Sequence, residues 1–236
     1  RLGKAWGPKL DHFAYVSPVG LPRPTKTLPV SYTRQFIEQS LPRARTKIEN
    51  AINALIHRDF EAQRTLVARL LMGSDSNEAI NQLLNYLRAV RADFAGVSIS
   101  NFVLDPLKDT HHIAAFDADA YQQWKGATGQ SDAKFVEIYT VNLNRHFIGQ
   151  GFNLDVVADD LIHELFHGPA QIGDVAYARD AGNVGGGQSL NVASLLNLAS
   201  GQLAVTDGGS ARHARSKAFE NADSLAVVTS LLSQLY

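Results

Sequence analysis

Residues 155–169 read DVVADDLIHELFHGP, and this stretch decides the fold. Leu161, Ile162, Leu165 and Phe166 fall on one side of a 3.6-residue period, and Asp155, Asp159 and Asp160 fall in its first turns. Acids are favoured there because the amino end of a helix carries partial positive charge. Gly168-Pro169 cannot continue a helix, so the spacing predicts one from Asp155 to His167 with a sharp stop.

Upstream, apolar residues at Ile37, Leu41, Ala44, Ile48, Ile52 and Leu55 predict a helix from Tyr32 to His57. A second helix is expected over Phe60–Met72, ended by Gly73. A third, capped by Ser74 or Ser76, carries Ile80, Leu83, Leu84, Leu87 and Val90 to Gly96. Val97–Leu104 and Phe135–Val141 are rich in β-branched and aromatic residues and read as strands, with a polar stretch containing Gly126 and Gly129 between them. Downstream, residues 182–187 (GNVGGG) read as a loop, Leu190–Leu198 as a helix, and Ala211–Leu235 as one final helix.

The first thirty residues differ. Five of the eight prolines lie there, and the segment carries about +4 of charge against about −5 for the rest. Such density of proline forbids a long helix, so residues 1–30 are expected to form an extended arm and residues 31–236 a single domain. The chain starts at Arg1, as a processed or excised product would, and nothing at its start has the layout of a signal peptide.

Composition removes several function classes. Cysteine is absent, which excludes disulfides, thiolate metal sites and a cysteine nucleophile. A net charge of −1 offers no broad basic surface to nucleic acid, and no apolar run reaches membrane-spanning length.

What remains is His163-Glu164-Leu165-Phe166-His167, an H-E-x-x-H. Histidines four apart on a helix sit about 6 Å apart along its axis and project from one side, so both imidazoles can reach one metal ion. Glu164 leans toward the same cleft, where it can take a proton from water. Eight histidines and seven glutamates in 236 residues give about 0.01 such matches by chance. A catalytic zinc takes a third protein ligand. Ala170 and Gly173 stand where a metzincin needs glycine and histidine. Two carboxylates stay open: Asp174, seven residues on, and Glu220, the one glutamate after Glu164.

With Gly173-Asp174-Val175-Ala176-Tyr177-Ala178 added, the sequence resembles the aspzincin metallopeptidases, the deuterolysin and peptidyl-Lys endopeptidase family, whose pattern is H-E-x-x-H followed by G-T-x-D-x-x-Y-G. The resemblance implies an α+β, zincin-like fold, mainly helical with a small β-sheet. It also implies one Zn2+ held by His163, His167 and Asp174, with Glu164 as general base and Tyr177 as donor to the oxyanion. Residues 135–147 resemble the strand before the zinc helix. Asn221-Ala222-Asp223 resembles the N-A-D motif of the last helix, which implies a substrate-binding role for Asp223. The departures are Gln171-Ile172 in place of G-T, Ala178 after the tyrosine, and Ala226 where lysine-specific members carry a glutamate.

The implied activity is zinc-dependent cleavage of protein or peptide substrates. Lacking the disulfides of fungal relatives, the chain looks more like a bacterial member. Such members include secreted or toxin-like effector proteases, which meet an inhibitor or immunity protein. Two alternatives remain: a gluzincin using Glu220, and a non-catalytic zinc-binding interaction module with a degenerate site.

The other candidates read as structural. His12, His57 and His146 have no partner at ligand spacing, the adjacent His111-His112 point apart on any strand, and His213 lies between arginines. Asp105, Asp109, Asp117 and Asp119 have no calcium-loop register, and GNVGGG lacks the lysine of a phosphate loop.

Overall fold

The computed structural model describes residues 30–105, 114–127, 132–139, 154–173, 193–201 and 217–236. The arm over residues 1–29, the loop at 182–187, Asp174 and Tyr177 lie outside them.

Helix α1 (Val30–Ile56) buries the stripe read from its period: Ile37, Leu41, Ala44, Ile48, Ile52 and Leu55 are all at most 5% exposed. A short 3-10 turn at Arg58–Phe60 leads into α2 (Glu61–Met72), which stops at Gly73 in the left-handed region with φ 73°. A side chain at Gly73 would also collide with the Ala199 carbonyl oxygen, so both conformation and space require glycine. Ser76 caps α3 (Asn77–Phe94), accepting a hydrogen bond from the Ala79 amide at 3.1 Å.

Three short strands follow. β1 (Phe102–Asp105) runs parallel to β3 (Val136–Tyr139), and β2 (Ala114–Phe116) pairs antiparallel with β3 on its other side. The order is β1-β3-β2, with the short helix α4 (Ala118–Gly126) between β2 and β3 in the chain. Two more helices, α5 (Leu154–His167) and α6 (Ala193–Ser200), precede the 3-10 turn Lys217–Glu220 and α7 (Ala222–Ser233). The described residues thus form an α+β structure, mostly helical with one small sheet.

α7 is the centre of the core. Eleven of its twelve residues are buried, and two of its polar side chains are satisfied by the helix's own carbonyls. Thr229 donates to the Leu225 carbonyl and Ser233 to the Ser230 carbonyl, each at 2.7 Å. α1 and α5 pack against α7 and against each other. Their register is fixed by charge as well as by shape. The Lys47 ammonium on α1 reaches Asp159 Oδ1 at 2.8 Å, the Asp155 carbonyl at 3.2 Å and Ser230 Oγ on α7 at 3.2 Å. Burial raises the Asp159 carboxyl above the usual carboxylate range, while Lys47 and Ser230 pull it down. Asp159, read as a dipole-facing acid, is therefore a mostly buried cross-link one turn before His163.

Three expectations change. The strand expected over Val97–Leu104 is confined to Phe102–Asp105, because Ser98 and Asn101 form a reciprocal capping box around the 3-10 turn Ile99–Asn101. The polar stretch before β3 contains β2 and α4. The final helix is not continuous from Ala211: residues 211–216 are outside the described set, and Asn221 breaks the rest with extended backbone (φ −118°, ψ 114°). That break serves a purpose, because Asn221 bridges to Gly173 beside the H-E-x-x-H helix. No described helix is long and apolar enough to cross a membrane.

Candidate metal centre

His167 is pinned by its far ring nitrogen, and His163 has a carboxylate beside its own. Past the end of α5 the chain curls through Gly168–Gly173, with the Gln171 amide donating to the Gly168 carbonyl and the Ile172 amide to the Phe166 carbonyl, both at 3.2 Å. The curl holds Gln171 at φ 52°, an uncommon conformation for a residue with a side chain. It turns the Ile172 carbonyl back onto His167 Nδ1 at 2.6 Å. A carbonyl only accepts, so Nδ1 of His167 carries the proton. Asp223 Oδ1 lies 2.7 Å from His163 Nδ1, a charge contact outside hydrogen-bond geometry; a carboxylate at that distance favours a proton on Nδ1.

The consequence lies between the rings. His163 Nε2 and His167 Nε2 face each other at 3.3 Å. With a proton on each Nδ1, the two Nε2 lone pairs would face each other, and a cation between them would relieve their repulsion. Two imidazole nitrogens on one tetrahedral zinc, each at about 2.0–2.1 Å, would stand about 3.3–3.4 Å apart. The Glu164 carboxylate completes the cluster, with Oε2 4.0 Å from His167 Nε2, and the residue is 7% exposed. His163, Glu164 and His167 form a group able to hold a metal ion, with one ligand atom from each lying within 4.8 Å of the others.

Beside this cluster lies a cleft of about 680 Å³ lined by Ala114–Phe116 of β2, Tyr121 and Gln122 of α4, the motif residues, and Gly168 and Gln171–Gly173. Two aromatic rings, Phe116 and Tyr121, line it and pack onto Trp124 and Phe135 behind them, with centroids 5.2–5.9 Å apart, and Phe116 lies 6.0 Å from the His167 ring. The Tyr121 hydroxyl donates to Asp93, which also pairs with Lys125 at 2.8 Å. Burial, then Asp93, raises the Tyr121 hydroxyl above its ordinary value, so it stays a donor. Gly168 is required for space: a Cβ there would come 2.9 Å from Phe116 Cζ and 3.0 Å from the Tyr121 ring.

The structure brings together His163, Glu164, His167 and Asp223. It does not bring Glu220 to them. That carboxylate is half exposed and pairs with Lys217 at 2.5 Å within its own 3-10 turn. Asp174 and Tyr177 lie outside the described residues, although Gly173, next to Asp174, lines the cleft. His57 sits at the end of α1 beside Asp59 at 3.6 Å, away from the cluster. Sequence reasoning missed the Ile172 carbonyl, which as a backbone group leaves no mark in a motif. It also missed Phe116 and Tyr121, whose place on the wall depends on the unforeseen β2 and α4.

No protein-family model matches the chain, and neither a curated protein nor a solved structure was found to match it.

Proposed function

We propose that this chain is a zinc-dependent metalloendopeptidase of the aspzincin type, with a zincin-like fold. The observation that carries the reading is the pair of Nε2 atoms 3.3 Å apart, with an oxygen beside the far nitrogen of each ring: the Ile172 carbonyl for His167 and Asp223 Oδ1 for His163. Asp174 is assigned as the third ligand. It is next in sequence to Gly173, which lines the cleft, and the alternative glutamate is paired with Lys217.

When bound, zinc would supply Lewis-acid polarisation of the scissile carbonyl and lower the pKa of a water at its open position. Glu164 is the group placed to move the proton. Its carboxylate lies at the cleft beside the two histidines and is shielded from bulk solvent, so it accepts the water proton and returns it to the departing amine. Tyr177 is assigned to the oxyanion, which needs a donor that stays protonated at neutral pH. The open cleft favours an enzyme over an interaction module, since a structural zinc site is closed by its ligands whereas a peptide must enter.

Elemental analysis tests the site. The purified chain is expected to hold one zinc, and His167→Ala to lose it. Full zinc occupancy in that variant would remove the assignment.

A further inference from the structure

We infer that Asp223 is a positioning residue for His163, fixing the ring's orientation and tautomer so that Nε2 is presented to the metal. This rests on the metal-site reading above and replaces the substrate-binding role that the N-A-D resemblance implies.

Three observations support it. First, Asp223 Oδ1 lies 2.7 Å from His163 Nδ1, and both side chains are at most 19% exposed, so little water competes for the contact. Second, Asp223 is not among the residues lining the cleft. Ala226, one turn further on, is 5% exposed within the core, so that face of α7 offers no second carboxylate to a basic side chain. Third, the approach of Asp223 is built from the sequence break already described. The Ala222 amide donates to the Gly173 carbonyl at 3.0 Å, and Asn221 is fully buried with Nδ2 donating to Ser224 Oγ at 2.9 Å. These bonds dock the first turn of α7 onto the turn after α5. Thus His167 is held by a backbone carbonyl and His163 has a carboxylate against it. The carboxylate also makes its imidazole a stronger ligand.

The simpler account is an acid placed in the first turn of a helix to meet its dipole. The two accounts separate on metal affinity, which a dipole partner would not change.

The test is competition for zinc between the whole chain and a chromophoric chelator. It is paired with nitrogen NMR of the histidine rings in the zinc-free protein. Asp223→Ala is expected to loosen zinc by about 10–100-fold. Asp223→Asn, which keeps an acceptor oxygen but loses the charge, is expected to fall between it and the parent. The Asn variant keeps the side-chain shape and carries the test if the Ala variant does not fold. In Asp223→Ala the His163 ring should lose its preference for Nδ1–H and in Asp223→Asn that preference should weaken, while His167, held by Ile172, keeps its own. Zinc affinity within about twofold of the parent in Asp223→Ala, or in Asp223→Asn if that alone folds, would overturn the proposal while leaving the metal site standing. A parent chain that binds no zinc would overturn both. Neither readout requires peptide cleavage, so a failure of the peptidase reading leaves this result separate.

Discussion

Glu164→Gln is expected to keep zinc and fold while losing about 10²–10⁴-fold in peptide hydrolysis. The change swaps one oxygen for an NH2 group of nearly the same size, so the packing around α5 has no reason to move. Glu164 is 7% exposed and next to buried Leu165, and an isosteric amide leaves the packing there intact. What goes is basicity. An amide cannot accept the water proton, and it cannot hand one to the leaving amine. The comparison needs variant and parent at equal zinc content on the same peptide mixture. Equal turnover would remove Glu164 from the mechanism, even with the metal in place.

The second large effect concerns the third ligand. Asp174→Ala is expected to surrender zinc readily to a chelator, whereas Glu220→Ala should behave like the parent. Loss of a carboxylate bound to the metal weakens it by several kcal/mol, while a surface ion pair is worth about 0–1 kcal/mol. Glu220 fits the second description: its carboxylate is half exposed and its partner is Lys217, three residues away on the same turn. Asp174 directly follows Gly173 in the sequence, and Gly173 is tied to Asn221 and lines the cleft. The reverse pattern in a chelator titration would make the protein a gluzincin and leave Tyr177 without its assigned role.

The helix of the H-E-x-x-H motif was legible in the sequence because all its determinants are local. The apolar face, the acids of the first turns, the histidine spacing and the stop at Gly168 lie within fifteen residues, and α5 forms where they predict. The parts that were not legible depend on residues distant in the chain. β2 is the alanine-rich Ala114–Phe116, which carries little intrinsic strand preference and is a strand because β3 supplies its hydrogen-bond partners. α4 is nine residues long, too short for its apolar periodicity to stand out, although Asp117 caps it. The last helix read as continuous because its apolar residues continue. Only its docking onto Gly173 explains why the backbone extends at Asn221. Asp159 shows the same limit: its place in an early turn suggested a helix-dipole partner, but its carboxylate is taken by a lysine 112 residues away. Asp223 illustrates the limit at the site itself. A motif likeness gave the residue, but the contact with His163 gives a different job.

The most direct test of the account is hydrolysis of a peptide mixture by zinc-stripped protein as zinc is added back. The account expects no cleavage at the start, a rise in rate with each increment, and saturation at one zinc per chain. Cleavage that is already full in the stripped protein, or absent at one bound zinc per chain, would contradict it.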